Sequence, residues 1–563
     1  MTTPPTKNDG VIADPDAVCD NSGENTLRIV QQVRQAFREG KHERGCTLAH
    51  NAIESGIRHP VLYYLRALGK GQREEYQEAL ADFENARALA PHDPILIEAF
   101  GHCLTMLGRF RESVESFDGA IALRPDFVRA HYRKGVALGL LNELDEMRAA
   151  HRRVLEFEPS NTDALASLAF IAARKGEIGD ARTLGEKAKK VSPRHGIAGI
   201  ALAITDIHEG RYSAAEKHLA GILSEHSGNQ DGRLNMALGF AADAFDRFGR
   251  YREAFALYAE INARRRRIHE GRFASCRAIE EVKMLTESAR HSGMQEVRPS
   301  QKSSGSGGHT FLLGFVRSGT TLLETILAGN PQVVASDEHD FLADAANEYL
   351  HGKGDLQQLA SLDNEALERW RSHYWRAVRA TGFAVEGKVF VDKVPLNSIR
   401  LPLIARLFPD ARVLLAIRDP RDVVLSAFRH RFNMYPASFE FLQLDDCARF
   451  YVAVMQLVAA TRQKAAYLPV HEIRYEDLIG EFDCTIESAC TFIGIDWNVS
   501  MRQFQSASSI IDRRSQSAAQ VQRGLYRGAV GQWRNYAEQL KPALPTLAPW
   551  VERFGYPQGQ PGL

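Results

Sequence analysis

The sequence predicts two domains of different class: an N-terminal all-α solenoid, then an α/β domain whose parallel sheet is flanked by helices. Three observations carry this. Pro91, Pro125, Pro159 and Pro193 stand 34 residues apart. A Gly/Ser stretch, Ser303 to Gly308, interrupts the chain. Beyond it, short apolar runs alternate with amphipathic segments.

On the 34-residue grid, Ala79, Ser113, Ala181 and Ala215 share a column, as do Phe83 and Phe117, and Gly108, Gly176 and Gly210. Each unit reads as two amphipathic helices with Gly at the turn between them and Pro just past the second. Small residues let paired helices approach, and large apolar residues fill the space beside them. Pro ends the second helix because it cannot continue the hydrogen-bond ladder. One pair cannot bury its apolar face, so the units must stack. The pattern resembles tetratricopeptide repeats. It frays at both ends, and Gly249, Ala254 and Tyr258 resume the spacing, so the solenoid is expected over 26–267 after a disordered N-terminus, 1–25. Its groove suits a peptide or partner protein, or it braces its neighbour.

Composition narrows the function. Lys+Arg and Asp+Glu both number 70, so no basic excess supports nucleic-acid binding by bulk charge. No apolar run is long enough to span a bilayer, and MTTPPTKNDGVIADPD has no signal-peptide character. The seven cysteines are scattered, with no C-x-x-C, which disfavours a disulfide framework or a zinc site. A cytoplasmic protein is expected. Arg264 to Arg267 reads as a solvated helix end, and 268–308 as a helical connector closing in the Gly/Ser linker.

The second domain, 309–563, opens on HTFLLGFV, a buried-strand run, followed by RSGTT and an amphipathic helix. Strand, Gly-containing turn and helix aim backbone N–H groups and the helix dipole at an anion. Arg317 adds a forked cation, and Thr320 and Thr321 add hydroxyls. The loop is P-loop-like, yet it lacks the lysine of G-x-x-x-x-G-K-[ST], which counts against a kinase. Three more strand ends follow: KVFVDKVPLN at Asp392 and Lys393, ARVLLAIRDPRD at Arg418 with Ser426 on the next helix, and VHEIRYEDL at Tyr475. Polar residues at strand C-termini sit where parallel sheets bind ligands.

RSGTT, DKVPLN, Arg418 with Ser426, RYEDL and GQWRNY (531–536) together resemble a PAPS-dependent sulfotransferase, nearest the tyrosylprotein-sulfotransferase-like group. The resemblance implies that Arg317, Ser318, Gly319, Thr320 and Thr321 hold the 5′-phosphosulfate of PAPS, the sulfuryl donor, with PAP as product. Arg418 and Ser426 match the 3′-phosphate pair, and Tyr475 the position near the adenine. Gln520, Val521 and Tyr526 match the late loop that covers the nucleotide. Ser517, at its front, is assigned to the leaving phosphate.

Sulfuryl transfer asks the protein for positioning and charge, and no metal is demanded. Glu338, in VVASDEHDF, matches the family's base, and Lys393 is the candidate for stabilising the bridging oxygen. His339 competes as base by its ordinary pKa. Asp340 stands where the tyrosylprotein enzymes carry an arginine, so an acidic tyrosine peptide is a doubtful acceptor. Arg429, His430 and Arg431 either extend the site or form an exposed helix end. Two readings stand: a sulfotransferase whose solenoid selects or presents an acceptor or partner, and a scaffold whose domain only binds nucleotide. The hydroxyl (or amine) acceptor and the oligomeric state are not legible.

Overall fold

The computed structural model describes residues 23–73, 75–225, 232–275, 277–291, 306–350, 356–504 and 527–558. The chain divides into two compact units, Met1–His226 and Ser227–Leu563.

The first unit is a tetratricopeptide-type solenoid. Its described helices are α1 (Glu24–Arg38), α2 (His42–Glu54), α3 (Pro60–Gln72), α4 (Tyr76–Leu89), α5 (Pro94–Met106), α6 (Phe110–Leu123), α7 (Val128–Leu140), α8 (Leu144–Phe157), α9 (Thr162–Lys175), α10 (Ile178–Val191), α11 (Gly196–His208) and α12 (Tyr212–Glu225). The turn inside a pair takes a left-handed residue, which explains the glycine column: Gly108, Gly176 and Gly210 have φ of 77°, 78° and 73°. Asn142 fills the same position in the intervening repeat at φ 60°, because Asn tolerates that region better than most side chains. Ala79, Ser113, Ala181 and Ala215 are all fully buried at the helix crossings. Asp93 and Asn161 cap α5 and α9, accepting from Ile95 N at 2.8 Å and Ala164 N at 3.0 Å. Of the expected disordered segment, 1–22 lies outside the described residues, and α1 already begins at Glu24.

The second unit begins with a helix pair of repeat type, α13 (Gly232–Arg247) and α14 (Tyr251–Phe273), turning at Gly249 with φ 73°. The spacing extends the solenoid to 267, whereas the compact division falls at 226/227 because this pair packs on the α/β domain. Asn262 Nδ2 donates to Phe428 O at 2.8 Å, and Arg266 pairs with Asp446 at 3.1 Å. Arg265 donates to Phe432 O, and Arg264 is only 4% exposed. Arg265 and Arg266 therefore form a docking edge, while Arg267 stays exposed as a solvated helix residue.

The remaining helices are α15 (Ala278–His291), α16 (Thr320–Ala328), α17 (Ala343–Tyr349), α18 (Leu356–Ser361), α19 (Asn364–Ala380), α20 (Leu401–Leu407), α21 (Pro420–Arg429), α22 (Pro436–Glu440), α23 (Leu444–Lys464), α24 (Tyr475–Gly480), α25 (Phe482–Ile493), α26 (Ala537–Leu540) and α27 (Leu544–Arg553). The expected connector is corrected in two places. α15 lies in the domain core, with Ile279, Val282 and Leu285 buried among residues of α23. Its entry is fixed by Arg277, whose Nε meets the buried Glu440 at 2.9 Å. Of the linker, 303–305 lies outside the described residues, Ser306 bridges Glu386, and Gly308 already begins the first strand.

The strands are β1 (Gly308–Gly314), β2 (Val333–Ala335), β3 (Val389–Lys393), β4 (Arg412–Ile417) and β5 (Val470–Arg474). They form one parallel sheet in the order β2-β3-β1-β4-β5. The chain leaves β1 toward β2 and β3, then returns to the other side for β4 and β5, so the switch point lies at the C-terminal end of β1. Strand alternation divides the core. Phe311, Leu313 and Phe390 face α19 and α23, whereas Leu312, Val389 and Val391 face α16 and α25. Register sets Leu312 beside Lys393 and Phe311 beside Asp392. No described helix is long and apolar enough to cross a membrane.

Candidate active site

At the switch point β1 runs through Phe315 into a tight loop. Arg317 has φ 69° and Gly319 φ 95°, and α16 begins at Thr320. Gly319 is required twice over. Its φ disfavours a side chain, and a Cβ there would stand 2.5 Å from Tyr475 Cδ2. No side chain caps α16, so its first N–H groups face the loop. Ser318 and Thr320 are buried and Thr321 nearly so.

Arg317 Nε donates to Ser426 Oγ on α21 at 3.1 Å. Burial, reinforced by Arg418, pulls its guanidinium down to about 10. Arg418, at the end of β4, donates to Arg317 O at 3.1 Å and to Ala529 O at 2.5 Å. Its guanidinium lies 4.9 Å from the Tyr475 ring centroid, and its Nε is buried without a hydrogen-bond partner among the described residues. The Ser426 hydroxyl thus meets Arg317, while Arg418 ties the loop to the segment at 529. A buried and a half-buried guanidinium side by side, an orphaned N–H and an uncapped helix start make a site suited to a phosphate-type anion.

The second cluster surrounds Lys393, which is fully buried at the end of β3. Its Nζ donates to Glu338 Oε1 at 2.8 Å and Asp337 Oδ1 at 3.3 Å, and lies 3.0 Å from Glu324 Oε2 on α16. Burial alone would lower the ammonium, but Glu324, Glu338 and Asp337 outweigh it and hold it well above its usual range. Backbone hydrogen bonds fasten the Glu338 turn to β3: Ser336 N to Val391 O at 3.1 Å and Glu338 N to Lys393 O at 3.0 Å. Asp337 and Glu338 take φ of 41° and 60°, an uncommon pair for non-glycine residues. The Glu338 side chain remains 49% exposed, so the candidate base reaches solvent while its partner lysine does not.

His339 faces another way. Its Nδ1 lies against Ser336 O, and its ring stacks on Phe341 at 5.6 Å. Asp340 pairs with Arg400, Nη2 to Oδ2 at 3.0 Å. Arg429 and Arg431 neither extend the site nor form an exposed end: Asp246 and Asp243 of α13 hold them at 2.8 and 3.1 Å. His430 is pushed well down by burial and by Arg317. Ser517, Gln520, Val521 and Tyr526 lie outside the described residues.

Sequence reasoning missed Glu324 and Asp422. Glu324 is the one charged residue in a helix otherwise of apolar residues and threonines, a legible signal of a buried partner. Asp422 accepts from Gly531 N at 2.6 Å and Trp533 N at 2.8 Å, fastening the GQWRNY segment to α21.

Residues 310–499 match the model of the Sulfotransferase family. The C-terminal unit holds a sulfotransferase-family domain. Similar curated proteins include an uncharacterized protein of Aquifex aeolicus, 25% identical over 260 residues, covering 44% of this chain and 33% of the relative. Protein-tyrosine sulfotransferase A of Caenorhabditis elegans is 22% identical over 256 residues, covering 44% of this chain and 66% of the worm protein. The chain thus spans a third to just under two thirds of these relatives' length. Among solved structures, YrrB, described as a TPR protein with an unusual peptide-binding site, is 19% identical and covers 34% of this chain and 95% of that one, with a TM-score of 0.28. Glu338, Lys393 and the 317–321 loop all lie within the matched residues.

Proposed function

We propose that the chain is a PAPS-dependent sulfotransferase acting on a hydroxyl or amine acceptor. The observation that carries this is the meeting of Glu338 and Lys393 at 2.8 Å, beside the helix that starts at the anion loop. A base and a cation needed on opposite partners of one displacement come from separate segments to one point.

PAPS supplies an activated sulfuryl group. Arg317, the 318–321 backbone and the start of α16 would hold its phosphosulfate, and Arg418, Ser426 and Tyr475 the nucleoside end. Ser517, Gln520 and Tyr526 belong to the same proposal. The acceptor oxygen or nitrogen forms the new bond to sulfur as the bond from sulfur to the phosphate oxygen breaks. The acceptor proton passes to the Glu338 carboxylate, and the electron pair leaves on the phosphate of PAP, where Lys393 offsets the new charge. Arginine and lysine supply the positive charge this requires, so the proposal includes no metal. The solenoid would select or present the acceptor, or bind a partner protein, and the scattered cysteines suit a reducing cytoplasm.

Titration with PAP, AMP and ATP–magnesium tests the reading. Retaining the 3′-phosphate should favour PAP over AMP by roughly 10- to 150-fold, the worth of one charge-assisted contact of about 1.5–3 kcal/mol. Equal affinities would defeat the site assignment. PAP binding without PAP release from PAPS, with any acceptor in cell extract, would favour the nucleotide-binding scaffold.

A further inference from the structure

Glu324 is fully buried in α16, four residues past the helix start, and makes two contacts. Its Oε1 accepts from Asp337 N at 2.9 Å, and its Oε2 lies 3.0 Å from Lys393 Nζ. One carboxylate therefore joins the anion-loop helix, the turn bearing Glu338 and the lysine at the end of β3. Nothing in the sulfuryl-transfer scheme above employs it.

We infer that Glu324 is a positioning residue that anchors Lys393 and the Glu338 turn to the anion-loop helix, so that base and cation keep their places relative to the donor. The inference rests on the sulfotransferase reading. The physical case is one of alternatives. Lys393 also contacts Glu338 and Asp337, but Glu338 must accept a proton during transfer and so loses its negative charge there. Asp337 and Glu338 are both on a turn with two left-handed non-glycine residues, which needs outside support to persist. Glu324 alone of the three is on a packed helix and fully enclosed. It stays in place beside Lys393 while Glu338 is neutralised, keeping the lysine aimed. Burial pushes its carboxyl up to about 7, with Lys393 opposing, so its charge depends on that lysine.

The test uses the full chain, PAP binding by calorimetry, and PAP release from PAPS with water as acceptor. Glu324→Gln keeps an oxygen for Asp337 N–H but removes the charge facing Lys393. Expected is a fall in kcat of about 10- to 100-fold, with PAP affinity and KM for PAPS within about twofold of the parent. In a Lys393→Met background the same substitution should cost nothing further, because Glu324 acts through the lysine. Glu324→Ala, lacking the acceptor for Asp337 N–H as well, should be slower than Glu324→Gln. Unchanged kcat in Glu324→Gln, or full additivity with Lys393→Met, would overturn the role. Weakened PAP binding with normal kcat would overturn it too, making Glu324 a support of the anion loop alone. If Glu324→Gln does not fold, Glu324→Asp in the two backgrounds supplies the same comparison. No PAP binding by the parent chain would instead overturn the underlying reading, and the positioning role with it.

Discussion

Asp246 accepts a hydrogen bond from Arg429 at 2.8 Å, which ties a helix of repeat spacing to the helix that carries Ser426. The same carboxylate accepts from Tyr536 OH in the GQWRNY segment. Arg429 itself lies between the rings of Tyr258 and Tyr536, at 5.3 and 5.2 Å. The last repeat-like pair is thereby built into the scaffold of the anion site.

Asp246→Asn should therefore act at a distance. Removing the charge while keeping the shape should lower stability by about 1.5–3 kcal/mol, read from urea unfolding. PAP affinity should fall as α21 loosens and Ser426 drifts from Arg317. Asp243→Asn, which releases Arg431 beyond the end of α21, should affect PAP less. Lowered stability with unchanged PAP affinity would show that the clamp holds the fold without bearing on the anion site.

A protease site engineered between 292 and 305 should nick the chain without separating it. α13, α14 and α15 would remain with the α/β domain through the α15–α23 packing, the Arg277–Glu440 pair and the Arg266–Asp446 pair. Co-elution of the two fragments in size-exclusion chromatography is the expected result. Release of a fragment ending at the nick would show that 278–291 is a connector after all.

These two predictions mark where the sequence was opaque. The 34-residue period exposes the turn glycines and buried alanines because both obey local rules: a left-handed turn, and close helix approach. Strand ends at Lys393, Arg418 and Tyr475 were legible for a similar reason, since polar residues closing apolar runs recur in parallel sheets. The Arg264–Arg267 run was not, because its partners Phe432 and Asp446 lie 167 and 180 residues further on from Arg265 and Arg266. A basic run looks alike whether water or distant carbonyls receive it. The same holds for Arg429 and Arg431. The contact of Ser426 with Arg317 was not legible either, because 109 residues separate them and only folding brings them together.

Stability should vary with pH through a buried pair on the opposite face of β3 from Lys393. Burial raises the Asp392 carboxyl to about 7, although the hydrogen bond from Tyr374 OH at 2.7 Å opposes the shift. Asp340 raises it further, while Arg400 and Lys393 lower it, and His309, at 2.9 Å from Tyr374 OH, is itself pushed down to about 3 by burial. The folded protein holds the Asp392 proton more tightly than the unfolded chain. Its contribution is therefore full below about pH 4, the unfolded value, and is lost as pH rises through about 7. Asp392→Asn should remove that slope. The urea midpoint of the variant should change less between pH 5 and pH 8 than that of the parent. Parallel pH dependences would mean that Asp392 is ionised in the fold.

The identity of the base is decided by comparing Glu338→Gln with His339→Ala. Glu338 is held by Lys393 and by its own N–H on Lys393 O, yet its side chain is 49% exposed. An acceptor can thus reach the carboxylate while the lysine stays enclosed. His339 is adjacent in sequence, but its Nδ1 is directed to Ser336 O and its ring lies on Phe341. Glu338→Gln should keep PAP affinity and lose turnover by about 10²–10⁴-fold, the usual worth of a general base. His339→Ala should lose stability from the missing aromatic packing, with turnover per folded molecule little changed. The readout is PAP release from PAPS, corrected for the folded fraction. A dead histidine variant beside an active glutamine variant would move the base by one residue. Two active variants would place proton acceptance elsewhere and leave the 337–340 turn as the mount for Lys393.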